Sequence, residues 1–375
     1  MSSMPVQSNR PRMFQRDFSQ NPFIAIWEVT RACQLHCLHC RAEAQRHRNP
    51  LELTTDEGKR LIDQIAEMEH PLLVFTGGDP LEREDLFEFM RYARTKDLEI
   101  AMTPSATPRV TREALKEAQD AGLARCAFSL DGSTAAIHDK FRGTSGSYDL
   151  TIRALETLRD IGMPIQLNTT VSRYNLEDLE HIADLAERYA TVLWSVFFLV
   201  PTGRARSKDM ISPEEAETVM EWLYEQSPTR SFDVKTTAAP HYRRVVLGHR
   251  AQAGIVGRDF TVSSQGLRSQ KGVNDGNGFV FISHTGDVYP SGFLPVVAGN
   301  IRKDRLADVY RNSTVFRELR DPGLLKGKCG ACEFRDVCGG SRARAYGVTG
   351  DYLESDPACA YVPGAWKVEA EAVKA

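Results

Sequence analysis

Short, unbroken apolar runs alternate along this chain with longer stretches in which apolar residues return every third or fourth position. The first rhythm is that of buried strands and the second that of amphipathic helices. Phe23–Val29 reads as the first strand. Thr54–Met68 follows as a helix, with Thr54 or Thr55 placed to cap it and Leu61, Ile62, Ile65 and Met68 on one face. A strand from Pro71 through LLVFTGG, a helix over Arg83–Lys96 and a strand over Leu98–Thr103 continue the series. Helix Arg112–Ala121, strand Ala124–Leu130, helix Tyr148–Ile161 and strand Pro164–Val171 come next. Helix Leu176–Tyr189, strand Val192–Val200 and helix Pro213–Glu225 end it. Six βα repeats imply a parallel sheet with right-handed crossovers. Six are too few to close an eight-stranded barrel. The pattern therefore predicts an α/β fold, a partial (β/α)6 TIM-like barrel, over residues 23–228.

The rhythm breaks after Thr229. Gly, Ser, Gln and Arg dominate residues 229–278, including His241–Arg244 and Gly266–Gly278, which predicts a loop-rich bridge able to act as a substrate-facing lid. FVFISHTGDVYPSG then has the form of a hairpin turning at Thr285-Gly286-Asp287, and Leu306–Phe316 reads as a short helix. Residues 279–375 are thus expected to form a second, small domain. Residues 1–22 lack the continuous apolar core of a signal peptide and read as a mobile arm.

Bulk properties narrow the function classes. The 375 residues are 42% hydrophobic and 26% charged, ordinary for a globular chain with a sizeable core. A net charge of -3 and a pI near 6.3 speak against a dedicated nucleic-acid surface. No apolar run reaches the ~18–20 residues of a membrane span. Cytoplasm is the default location.

Cysteine spacing changes the picture most. Cys33, Cys37 and Cys40 stand at C-x3-C-x2-C just after the first strand, and Cys329, Cys332, Cys338 and Cys359 gather near the other end. Cys126 stands alone in an apolar strand and reads as inert core packing. Seven clustered cysteines in a long chain of this kind point to metal ligation rather than a disulfide framework. Three thiolates on one loop can hold three irons of a cubane and leave the fourth open to a small molecule. Four thiolates can close a cluster completely. The bland alternatives are zinc sites and unrelated buried thiols.

The first strand with C-x3-C-x2-C, together with Gly77-Gly78-Asp79-Pro80 at the end of the second, resembles the radical S-adenosylmethionine (radical SAM) superfamily over about residues 23–201. The resemblance implies that Cys33, Cys37 and Cys40 bind a [4Fe–4S] cluster whose unique iron is chelated by SAM. It implies reductive cleavage of SAM to a 5′-deoxyadenosyl radical that takes hydrogen from a substrate carbon. His39 holds a position that is often aromatic in the family and would neighbour adenine rather than ligate iron. Gly77, Gly78 and Asp79 match the family's GGE with Asp for Glu, and would accept the methionyl ammonium's hydrogens through carbonyls and carboxylate. A plain turn is the alternative there.

Phe128-Ser129-Leu130-Asp131-Gly132 and His138-Asp139-Lys140-Phe141-Arg142-Gly143 resemble the family's SLDG and H-D-x-x-R-G segments. Ser129 would face the ribose or carboxylate of SAM, and Arg142 would pair with its carboxylate. Asp131 is either a cofactor neighbour or a turn-forming residue ahead of Gly132. Asn168 would reach the ribose from the fifth strand or satisfy a protein partner. Pro201–Arg204 lies where the family makes backbone contacts to adenine, and Thr103-Pro104-Ser105 departs from the family's Thr-Asn-Gly.

The C-terminal cysteines resemble the SPASM extension, in the branch that tailors haem-type tetrapyrroles and matures peptides. Ser291 and Ser341 stand where further cysteines are expected, which implies one auxiliary [4Fe–4S] cluster, fully cysteine-ligated and suited to passing electrons. Arg204, Arg206, His241, Arg243 and Arg244 could match tetrapyrrole propionates. A peptide substrate is the rival, although the arm before Phe23 is short for a leader-binding domain. The resemblance further implies a reductase partner such as flavodoxin or ferredoxin. A non-catalytic iron–sulfur carrier or zinc protein is the reading of another class.

Overall fold

The computed structural model describes residues 16–254 and 272–366. The six expected strands are present as β1 (Ile24–Thr30), β2 (Leu72–Gly77), β3 (Ile100–Met102), β4 (Arg125–Ser129), β5 (Ile165–Val171) and β6 (Leu193–Phe198). The helices between them are α1 (Thr55–Ala66), α2 (Leu86–Thr95), α3 (Arg112–Asp120), α4 (Ala135–Arg142), α5 (Ser147–Asp160) and α6 (Leu179–Arg188), with α7 (Pro213–Gln226) after β6. Thr54 caps α1: its side chain accepts from Glu57 N–H, and Glu57 Oε2 accepts from Thr54 N–H at 2.8 Å. All six strands run parallel, in sequence order.

The bridge over 229–278 needs correction. It carries a seventh parallel strand, β7 (Asp233–Thr237), beside β6, and the helix α8 (Tyr242–Gln252). In β7 only Val234 is buried, while Asp233, Lys235 and Thr237 face a cavity, so the strand has none of the apolar continuity that marks its neighbours. Much of the segment read as a lid, residues 255–271, lies outside the described residues.

The sheet also extends past β1. In the expected hairpin, β8 (Phe279–Ile282) pairs parallel to β1 and β9 (Asp287–Tyr289) turns back on it. With β10 (Gly299–Asn300) the order becomes β10-β9-β8-β1-β2-β3-β4-β5-β6-β7. Among the described residues no pairing joins β7 to β8, so the barrel stays open. The start of the C-terminal region is thus a strand of the same sheet. The chain continues through α9 (Leu306–Asn312), α10 (Thr314–Leu319), α11 (Gly327–Gly330) and α12 (Arg342–Thr349).

The end of the N-terminal arm is anchored rather than mobile. Phe18 is buried, Tyr310 Oη donates to its carbonyl at 2.7 Å, and Arg311 Nε donates to the Gln20 carbonyl at 3.0 Å. Residues 1–15 lie outside the described residues.

One buried charge ties these parts together. Glu28, fully buried on β1, is contacted by Arg31 (3.0 Å), Arg41 (2.9 Å) and His284 Nδ1 (3.0 Å). Arg31 and Arg41 flank the cysteine loop, and His284 stands in the β8–β9 turn. Burial would raise the Glu28 pKa, but the hydrogen bond from His284 and the charges of Arg41 and Arg31 outweigh it and hold it at about 2. A carboxyl held below its ordinary 4.5 contributes stability above that value and loses it as pH falls toward 2. Glu28→Gln, which strands buried cations, should cost about 3–5 kcal/mol at pH 7. Urea unfolding at pH 7 and again at pH 3.5 checks this: the difference from wild type should shrink at the lower pH, and an equal difference at both would refute the assignment.

Candidate active site

The open barrel surrounds a cavity of about 1000 Å³. Strand parity decides its walls, because every second residue points inward. Ser129 of β4, Asn168 of β5, Ser195 of β6 and Lys235 of β7 are successive register partners across the sheet, so one polar tier crosses four strands. At the cavity mouth the chain leaving β1 forms the cysteine loop, and Cys33, Cys37 and Cys40 all line the wall.

Backbone approach, with no side chain between, holds this loop in place. Gly78 N–H donates to the Thr30 carbonyl at 2.8 Å and Asp79 N–H to that of Ala32 at 2.7 Å. A Cβ on Gly78 would meet the Ala32 oxygen at 2.4 Å. From the far side comes Gly203, at φ +60°, where a Cβ would lie 2.4 Å from the Cys40 carbonyl oxygen. Arg204 Nε donates to the Cys37 carbonyl at 2.9 Å and Nη1 to that of Ala44 at 3.3 Å. The segment Pro201–Arg204 therefore clamps the loop.

Each clustered sulfur has an N–H aimed at it. Leu35 N–H reaches Cys33 Sγ and Ala44 N–H reaches Cys40 Sγ, both at 3.4 Å, while Arg142 Nη1 stands 3.7 Å from Cys37 Sγ. In the second group Asp356 N–H and Arg342 Nη2 reach Cys329, Phe334 N–H reaches Cys332 and Gly340 N–H reaches Cys338, at 3.4–3.5 Å. The Tyr361 N–H serves Cys359. Burial pushes the thiols of Cys33 and Cys359 up to about 11 and that of Cys338 to about 12. Thiolates are costly there unless a bound cation offsets them. Among the described residues no three Cys, His, Asp or Glu side chains converge on a single-ion site. Preformed N–H···S donors with spread sulfurs suit the separate irons of a cluster better than one zinc ion.

The other sequence-marked residues divide into two sets. Gly77, Gly78, His39, Ser129, Arg142 and Asn168 line the cavity. Asp79 and Asp131 do not. Asp79 is fully buried and caps a short turn, accepting from Leu81 N–H (3.2 Å) and Thr107 Oγ1 (2.7 Å); burial raises its pKa to about 6. Its carboxylate is held by Leu81 and Thr107 rather than lining the cavity. Asp131 stands behind Arg142, forming an ion pair with it and accepting from Thr170 N–H at 2.7 Å. Arg142 keeps an Nε–H without a partner among the described residues. His39 stacks on Phe141 at 4.0 Å, so one face of its ring is already covered. Asn168 Oδ1 accepts from Gln166 Nε2 at 2.8 Å.

Of the five cations expected to meet propionates, Arg243 alone lines the cavity. Arg204 is spent on the loop, Arg206 is exposed, Arg244 pairs with Glu217 at 2.6 Å, and His241 is buried 3.8 Å from Asp356. Besides Ser195 and Lys235 of the polar tier, Ser105 and Glu28 escaped sequence reasoning. Ser105 lies 3.4 Å from Cys33 Sγ and donates to the Gly78 carbonyl at 2.8 Å, in the triplet that departs from Thr-Asn-Gly. Glu28 was announced by an acid inside an apolar run, IAIWEVT.

Family models match the radical SAM superfamily over residues 27–186 and the SPASM iron–sulfur cluster-binding domain over 274–333. An AdoMet-dependent heme synthase of Methanosarcina barkeri is 43% identical over 92% of this chain and 97% of its own length. A mycofactocin maturase of Mycolicibacterium smegmatis is 31% identical over 100% of this chain and 91% of its own. Streptococcus suis SuiB bound to precursor peptide SuiA shares the fold, with TM-score 0.68 at 15% identity, over 91% of this chain and 76% of that one.

Gly203→Ala should loosen the cysteine loop while sparing the C-terminal thiols. Anaerobically reconstituted protein should lose about four irons per chain relative to wild type. Iron and sulfide quantification checks this, and unchanged iron would show that the clamp is dispensable.

Proposed function

Because this chain belongs to the radical SAM superfamily and carries a SPASM domain, we propose that its radical chemistry acts on a side chain of a haem-type iron tetrapyrrole. The observation carrying this reading is the 43% identity to AdoMet-dependent heme synthase across nearly the whole of both chains. The cavity supports it: about 1000 Å³ is at the upper end for small-molecule sites, with room for SAM and a large flat partner. A peptide substrate is the second reading, favoured by the maturase at 31% identity.

The enzyme uses SAM and [4Fe–4S] chemistry, as its superfamily does. Cys33, Cys37 and Cys40 would hold the SAM-binding cluster. When bound, that cluster supplies the electron that splits SAM, giving a 5′-deoxyadenosyl radical able to take hydrogen from an unactivated carbon. In this reading the Gly77 and Gly78 carbonyls accept from the methionyl ammonium, a role that the burial of Asp79 leaves to the backbone. Arg142, pre-aimed by Asp131, meets the SAM carboxylate with its spare Nε–H. Ser129 and Asn168 stand along the ribose, and His39 offers its uncovered face to adenine.

Cys329, Cys332, Cys338 and Cys359 would hold a single auxiliary [4Fe–4S] cluster. Ser291 and Ser341, in place of further cysteines, support one cluster rather than two. The Ser341 side chain caps α12 by accepting from Arg344 N–H at 3.2 Å. A saturated thiolate site of this kind passes electrons. A flavodoxin- or ferredoxin-like reductase and a cytoplasmic location complete the proposal. Among the described residues no helix is long and apolar enough to cross a membrane.

Reduced enzyme given SAM and an iron porphyrin deuterated on its propionate side chains should release 5′-deoxyadenosine carrying the label. Label transfer from a peptide, with none from any tetrapyrrole, would transfer the assignment to the maturase reading. Cys332→Ala should keep tetrapyrrole-dependent SAM cleavage but lose most product, read by chromatography; full product would remove the auxiliary site from the reaction.

A further inference from the structure

Lys235 has no counter-ion among the described residues. Its side chain lines the cavity from β7, level with Ser195 and Asn168 on the neighbouring strands. Among the described residues no carboxylate or hydrogen-bond acceptor pairs with it. The charges that act on it are those of Arg125 and Arg243, both cationic and both on the same cavity wall.

The acids of this wall are engaged elsewhere or act on other groups. Asp233 lies one inward position earlier on β7, and burial raises its carboxyl above the ordinary carboxylate range. Asp275 accepts from Ala343 N–H at 2.9 Å. Glu99 acts on Arg125. Arg243 is held by neutral carbonyls, those of Val337 (3.1 Å) and Val273 (2.6 Å), which fix its guanidinium without cancelling its charge. The Cys338 sulfur acts on Arg243 from the side of the C-terminal thiols. Arg125 Nε has no hydrogen-bond partner among the described residues.

A cluster of cations in a partly desolvated wall is costly unless an anion arrives to share it. The field it creates draws anions into the cavity.

We propose that Lys235, with Arg125 and Arg243, is the seat for a carboxylate of the substrate, in the cavity that the cysteine loop also lines. This rests on the tetrapyrrole reading above and deepens it: the group seated is a side-chain propionate. The cysteine loop follows β1 and Lys235 stands on β7, and both line the same cavity, so a ligand that fills it touches both. A flat macrocycle with carboxylates on its rim has that reach. Burial and the two like charges lower the Lys235 ammonium toward about 8, so it is still charged at neutral pH when the carboxylate enters.

The test uses reconstituted enzyme, with iron coproporphyrin as its tetra-acid and its tetramethyl ester as probes. Wild type should bind the acid more tightly than the ester. Lys235→Met should weaken binding of the acid by about ten- to a hundred-fold and leave the ester unchanged. Lys235→Arg should restore most of the loss. SAM affinity should match wild type in both variants, because a carboxylate seat for SAM itself would weaken it. Equal binding of acid by wild type and Lys235→Met overturns the proposal, as does a loss of SAM affinity.

A second readout separates this failure from failure of the tetrapyrrole reading. Without substrate, Lys235→Met should melt higher than wild type, since it removes an unpaired charge. If neither porphyrin binds wild type, the tetrapyrrole reading falls, and the melt alone judges the seat. A higher melting temperature supports an unpaired cation awaiting an anion, and a lower one overturns it by revealing a structural partner.

Discussion

A carboxylate sealed inside β1 governs the geometry of this molecule. Glu28 has no water around it and survives as an anion because Arg31, Arg41 and His284 close on it. Each partner belongs to a piece that must be placed accurately. The two arginines bracket the cysteine loop, and the histidine comes from the hairpin that opens the C-terminal region. Arg41 reaches the same hairpin again, lying 4.5 Å over the Phe281 ring. Leaving any of these charges unmatched in the interior costs several kcal/mol, so the network tolerates few other arrangements. Loop, sheet and hairpin are therefore set as one unit.

On this frame the loop is shaped by what presses on it. Gly78 and Gly203 let backbone come within contact of its carbonyls, and Arg204 draws two further carbonyls together. The N–H groups left over point at sulfur. The C-terminal thiols follow the same rule with different means: Arg342 reaches Cys329, while Arg344 and Asp356 form a fully buried pair that joins α12 to the strands behind it. Arg342 and Arg344 are thus internal braces rather than surface cations.

Much of the architecture was legible because its causes are local. Six apolar strands, the capped helix at Thr54 and the hairpin around Gly286 follow from short-range patterning, and the cysteine spacings state their own chemistry. What escaped depends on distant partners. β7 went unseen because a strand facing a polar cavity carries Asp233, Lys235 and Thr237 where a core strand carries valines. That Thr107 holds Asp79 escaped as well, because no local rule reveals a partner 28 residues away. Arg244 and Arg243 are adjacent in sequence, yet one meets Glu217 outside and the other faces the cavity. Helical neighbours diverge in direction, and only the packed fold decides which of the two looks inward.

The pairing of β8 with β1 carries a consequence for biogenesis. The strand that opens the sheet gains its second neighbour only when a segment about 250 residues later has been synthesised, a long-range closure that slows folding. Until then the β1 edge is bare, and Glu28 lacks the imidazole contributed by that segment. A ribosome-bound nascent chain thus presents its first three thiols on an unlocked loop. Locking of that loop therefore belongs after translation has passed His284, the last of the three partners that Glu28 gathers.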